Sequence, residues 1–91
     1  MKRITFKSIP EIWRKEYLGL KSNTIRQFTD SDVRKEILLN YIQNKVNLLE
    51  VEIVNTETKE SFVMTVKDVT SWIGYYIISW WRKDDKKDNV L

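Results

Sequence analysis

Hydrophobic and polar positions change period several times along the chain, and each change predicts an element. Ile4-Thr5-Phe6 alternates and reads as a short strand. Ser8 then offers an oxygen to cap a helix, and Pro10 fits its first turn, where a missing amide proton costs little. Ile12, Trp13, Glu16, Tyr17 and Leu20 share roughly one face of that helix. Most of the face is expected to be buried, and Gly19 marks the end of the regular turns. The next run, Lys21-Ser22-Asn23-Thr24-Ile25-Arg26, alternates weakly, as in a strand that turns Ile25 one way and Thr24 and Arg26 the other.

Asp30 or Ser31 can cap a second helix, in which Val33, Ile37, Leu38, Tyr41 and Ile42 recur at helical spacing. Arg34, Lys35 and Glu36 cover most of its wet side, and it should end near Gln43-Asn44. From Leu49 the period is two, with Leu49, Val51 and Ile53 on one face and Glu50 and Glu52 on the other. Asn55-Thr56-Glu57-Thr58-Lys59 interrupts this before Phe62, Met64 and Val66 resume an alternating face, which predicts a hairpin. Val69 and Trp72 follow as the chain leaves the sheet, and Gly74 permits a turn. Tyr76-Ile77-Ile78-Ser79-Trp80-Trp81 reads as a last strand, long and apolar enough to sit centrally. The pattern predicts an α+β fold with two helices, one domain over residues 1–81 and a charged, frayed tail over 82–91.

Size sets the scale of any site. A chain of 91 residues and 11.0 kDa supports one modest core, so a site is expected to be shallow or completed by a partner. The chain contains no Cys and no His, which excludes disulfides, thiol nucleophiles, histidine bases and the common zinc sites. Neither a metal nor any other cofactor is implied. The opening residues mix charges with apolar positions, unlike a signal peptide, and no window approaches the roughly 18–20 apolar residues of a membrane span. The expectation is a cytoplasmic protein with no membrane partner. Net charge is +3, and residues 1–40 carry nine Lys or Arg against five Asp or Glu, an excess able to steer a polyanion toward one face.

The polar cluster richest in chemistry is Lys21, Thr24 and Arg26. A partly desolvated Lys can act as a base, a Thr hydroxyl can attack or donate, and Arg can hold a carboxylate, a phosphate or a base edge. Asp68 can orient Lys21 or Arg26 across a cleft, or simply bond local backbone at a turn. Glu50 and Glu52 fit a solvated sheet face. Among the late aromatics Trp72, Tyr75, Tyr76, Trp80 and Trp81, most should be core. The group can include a platform for an unstacked base, and since Trp80 and Trp81 point to opposite faces of a regular strand, one of them can be a lid, a ligand contact or an interface residue, or pack under a helix or the tail. Trp13 reads as a helix-to-sheet packing residue.

Gly19-Leu20-Lys21-Ser22-Asn23-Thr24-Ile25-Arg26 resembles the Gly-x-Lys-Thr-x-Thr-x-Arg signature of small ASCH domains in the PUA-like superfamily, with Ser22 in place of the first threonine. Asp68-Val69 and the aromatic last strand are similar to the later half of such domains. The resemblance implies a small mixed β-barrel with two flanking helices and a cleft for RNA or modified nucleosides. One bacterial branch hydrolyses N4-acetylcytidine, and its catalytic lysine and threonine correspond to Lys21 and Thr24, with Arg26 the strand arginine. That branch also uses a glutamate from a later segment. The chain here has no matching acidic insertion, leaving Glu50, Glu52, Glu60 and Asp68 as alternatives.

Three readings follow. The first is a module that binds RNA, a nucleotide or a modified nucleoside through Lys21, Thr24, Arg26, Asp68 and Trp80. The second is an amidohydrolase of the acetylated-cytidine type, with Lys21 and Thr24 catalytic. The third is a protein-binding or inhibitory module of the kind carried by phages and mobile elements.

Overall fold

The computed structural model describes residues 2–44 and 48–82. Seven elements follow in order: β1 (Lys2–Ser8), α1 (Pro10–Tyr17), β2 (Asn23–Gln27), α2 (Val33–Asn44), β3 (Leu49–Asn55), β4 (Ser61–Trp72) and β5 (Tyr75–Trp80). The expected tail lies outside the described residues apart from Arg82, and the Lys86-Lys87 pair within it does so too.

The strands form one curled, half-barrel sheet in the order β1-β3-β4-β5-β2. β1 runs parallel to β3, and the other neighbours are antiparallel. β4 is the long strand around which the sheet bends. Its first half pairs with β3 and its second half with β5, with a register shift between Val66 and Asp68. The extra residue there resets the alternation, so Val66 and Val69, three apart, are both buried. This is why the chain does not leave the sheet near Val69, as the sequence pattern predicts. The strand continues through Trp72 instead.

Inward side chains build the core from Ile4 and Phe6 of β1, Val51 and Ile53 of β3, Val66 and Val69 of β4, and Tyr76, Ile78 and Trp80 of β5, with Leu38 of α2. Leu49, Val51 and Ile53 are buried as their period-two pattern requires, and β5 lies inside the sheet, between β4 and β2. On the outer face of β1 and β3, Arg3 pairs with Glu50 at 3.1 Å, and Glu52 accepts from Thr5 and Ser61. Those glutamates form the solvated ladder expected of them.

The helices depart from expectation at their starts. Ser8 ends β1 as a buried residue, and Ile9 precedes α1 with no side-chain cap, so Pro10 alone marks the entry. Asp32, rather than Asp30 or Ser31, caps α2: its Oδ1 accepts from the Arg34 backbone amide at 3.0 Å. Val33 is exposed despite its helical spacing. Arg34 leaves the wet side and lies over the Phe6 and Phe28 rings. Within α1, Tyr17 is exposed, as is Leu20 beyond its end, while Glu16 is fully buried. Among the described residues, no helix is long and apolar enough to cross a membrane.

Candidate functional site

The C-terminus of α1 sets the geometry. Gly19 adopts a left-handed φ of +82°, its amide donates to Glu16 O, and the Leu20 amide donates to Lys15 O. These two bonds make a Schellman turn, which satisfies the orphan carbonyls at the helix end and reverses the chain. The reversal returns Lys21 to the helix it has just left. Lys21 Nζ donates to Glu16 Oε2 at 3.3 Å and also to Asn23 O.

The ion pair is asymmetric. The Glu16 side chain is 0% exposed and that of Lys21 is 35% exposed, so solvent reaches the cation and not the anion. Glu16 Oε1 is buried with no hydrogen-bond partner. Burying a carboxylate is costly unless positive charge offsets its lost hydration. Lys21 offers such charge directly, and Arg26 lies close enough for its charge to interact with that of Glu16.

β2 presents the other two residues of the motif. Its alternation is as expected: Thr24 is buried and Arg26 half-buried, while Ile25 faces outward. Arg26 Nε donates to Thr24 Oγ1 at 2.8 Å. Its Nη2 donates to Lys7 O at 3.0 Å and lies 3.5 Å from Ser8 Oγ, and the guanidinium sits 4.8 Å from the centre of the Phe6 ring. Since β1 and β2 are the two edges of the sheet, Arg26 spans the open seam of the half-barrel. Arg34 ties α2 to β1, donating to Thr5 O at 2.8 Å while Asp32 chelates its guanidinium. Burial pulls the Arg26 pKa below its ordinary value; the Glu16 charge opposes that shift and the Arg34 charge adds to it.

Beside this cluster is an open pocket of about 210 Å³. It lies between the end of α1 and the last strands, lined by Tyr17, Gly19, Ser22, Met64, Trp80 and Arg82, among others. Ser22 joins pocket to cluster, because it follows Lys21 in sequence and its carbonyl accepts from the Trp80 amide at 3.1 Å. Trp80 is fully buried, an interior wall rather than a lid, and packs edge-on against Phe62. Its indole Nε1 has no partner. The wall on the α1 side is Tyr17, stacked on Trp13, whose own indole donates to Ile53 O and ties α1 to β3.

The structure therefore brings Lys21, Thr24 and Arg26 into one neighbourhood and places Trp80 on the adjoining pocket. Asp68 sits just past the bulge in β4, opposite Ser79, where Thr70 Oγ1 donates to its Oδ2 at 3.1 Å. The carboxylate that meets Lys21 comes from α1, earlier in the chain than any of the alternatives weighed from sequence. Its signal was a glutamate in the middle of an apolar helix face, one turn after Trp13 and five residues before Lys21. Arg34 gave no comparable signal.

No known family profile matches the chain, and no curated protein does so.

Proposed function

We propose that the protein binds a nucleobase-bearing ligand, whether nucleoside, nucleotide or an unpaired RNA base, in the pocket beside Lys21. The observation that carries this reading is the Glu16–Lys21 pair, its carboxylate buried and its ammonium partly exposed, set against a pocket lined by Tyr17 and Trp80. The exposed Tyr17 ring is an aromatic surface open to a flat base, and the pair offers one cation within reach of solvent for a phosphate or a ring carbonyl. At about 210 Å³ the pocket is smaller than the roughly 300–1,000 Å³ of sites for drug-sized ligands, which favours a single base over a dinucleotide. The resemblance of residues 19–26 to the ASCH signature supports the same class of ligand. A curled α+β sheet is compatible with the PUA-like barrel that such domains adopt.

Glu16 also favours a second reading, hydrolysis of an N4-acylated cytidine. It provides a carboxylate beside Lys21 in the absence of a later acidic insertion. In that reaction water adds to the acetyl carbonyl, the bond to N4 breaks, and acetate and cytidine leave. Lys21 and Thr24 would be catalytic, with Glu16 orienting the Lys21 ammonium through their 3.3 Å contact.

One experiment separates these readings. The purified protein is titrated with cytidine, N4-acetylcytidine and a short single-stranded RNA while tryptophan emission is followed, and the N4-acetylcytidine samples are then analysed by mass. Saturable quenching that weakens with salt, without deacetylation, is the expected result. Turnover abolished by Lys21→Arg would replace the binding reading with the hydrolase. Absence of both quenching and turnover at millimolar ligand overturns both.

A further inference from the structure

The outer face of the sheet differs between its two halves. Over β1 and β3 it carries the Arg3–Glu50 pair and the Thr5–Glu52–Ser61 bonds. Over β4, β5 and β2 the registered rows are Trp72–Tyr75–Gln27 and Thr70–Ile77–Ile25, and these lead to the hairpin tip at Ile73. Trp72 is 65% exposed, Ile73 73%, Ile25 59% and Tyr75 43%. With large aromatics presenting about 150–250 Å² each, Trp72 and Tyr75 alone leave roughly 200 Å² of ring surface in water. The two isoleucines bring the patch into the range of about 300–600 Å² that marks the largest, often functional, patch on a monomer.

The turn at the tip is costly in itself. Ile73 and Gly74 both have positive φ, +48° and +79°, which gives a two-residue type I′ hairpin. Asn or Asp suits the first position, and a β-branched residue there is a conformational outlier. Both Ile73 and Gly74 are exposed, and a Cβ at Gly74 would meet nothing within 4 Å, so intramolecular packing does not explain the choice of isoleucine. Strain kept at an exposed apolar tip points to a contact outside the chain.

We infer that this face, Ile25, Trp72, Ile73 and Tyr75 with Ile77 beneath them, is the contact surface for a second copy of the chain. Charge bears on that occupant. Each copy carries a net charge of +3, and the two apolar rows, which carry no Lys or Arg and have Asp68 at their margin, are a face on which two like-charged copies meet with little local repulsion. A polyanion such as RNA needs cations that these rows lack. Residues 83–91 are mostly charged and do not match the patch in chemistry. The area also fits: an apolar centre of this size, rimmed by Asn23, Gln27, Thr70 and Ser79, can grow to the roughly 800 Å² per partner of a standard interface. Both sides of a two-fold contact use the same patch, so the face must complement itself. Two aromatic and aliphatic sheet faces stacked about 10 Å apart meet that condition.

Sedimentation equilibrium, at concentrations up to about 1 mM, tests this. The wild type is expected to dimerise, and Ile25→Lys and Ile73→Asn should each raise the dimer dissociation constant at least about tenfold. Ile73→Asn separates contact from folding. Because Asn-Gly suits the type I′ turn, its melting temperature, measured at dilution where both proteins are monomers, should rise while association is lost. A wild type that stays monomeric throughout overturns the inference. So does a dimer that both variants leave intact.

Discussion

Replacing Lys21 by Met should destabilise the protein far more than replacing its partner Glu16 by Gln. The reason lies in the asymmetry of burial. Lys21→Met leaves a fully buried carboxylate without its direct counter-ion, and orphaning one member of a buried pair typically costs about 3–5 kcal/mol. Two features reduce that figure here: the residual positive charge of Arg26, and the one-third exposure of Lys21, which weakens the pair in the wild type. A loss of about 2–4 kcal/mol is expected. Glu16→Gln leaves the cation instead, and Lys21 can turn to water. The Gln carbonyl can still accept from Nζ while its amide nitrogen takes the place of Oε1, an atom already without a partner. That exchange should cost about 1 kcal/mol. The double variant, with the charge gone from both sides, should recover a large part of the Lys21→Met loss. Urea unfolding followed by tryptophan emission reads all four proteins, and at about 4–8 °C per kcal/mol the Lys21→Met change should also lower the melting temperature by about 10–30 °C. Equal losses for the two single variants, or strict additivity in the double variant, would refute the claim that Lys21 serves to neutralise Glu16.

Other substitutions test the supports of the site. Gly19→Ala should cost about 1–2 kcal/mol, because its φ of +82° penalises a Cβ although space for one exists beside Arg82, and Gly19→Asn should cost less; chemical denaturation measures both. Asp32 is held below the ordinary carboxylate range by the hydrogen bonds from Arg34. Its folded pKa is thus lower than its unfolded value near about 3.9, so its contribution is complete above that value and is lost as the pH falls through the folded pKa. Asp32→Asn, which keeps a capping oxygen, should therefore flatten the acid limb of a stability-against-pH curve; a limb as steep as that of the wild type would remove Asp32 from the account.

Where the sequence carried a period, the fold was legible. The β3 alternation, the hairpin into β4, the inward Thr24 and Arg26 and the turn at Gly74 all follow from local spacing and chain geometry. What local spacing does not encode is long-range compensation. The bulge after Val66 looked like an exit from the sheet because one extra residue imitates the end of an alternating pattern. Ser8 resembled a cap, but an inward position on β1 had already claimed it. Arg34 resembled a solvated helix residue, although its guanidinium is long enough to reach the edge of β1 and stack on Phe6. The site was half visible. Lys21, Thr24 and Arg26 stand close together in the chain, but Glu16 belongs with them only because a left-handed glycine folds the chain back by a full turn.

The same geometry divides labour within that motif. A residue that reads a ligand needs donors to spare, whereas Arg26 uses Nε on Thr24 and Nη2 on Lys7 O, with its plane against Phe6. Withdrawing it toward a ligand would unfasten β2 from β1 and expose the ring. Lys21 carries no such duty at the seam, and solvent already reaches it. Arg26→Lys should therefore act chiefly on stability, losing about 2 kcal/mol because an ammonium cannot reproduce the guanidinium fork or its stacking, while the affinity of the folded fraction for nucleoside changes less than threefold. Lys21→Arg, which keeps a cation beside Glu16 but moves its donors, should do the reverse. Urea unfolding and the fluorescence titration, run on both variants, separate the two effects. An Arg26→Lys protein of unchanged stability and tenfold weaker binding would return Arg26 to the ligand and remove it from the seam.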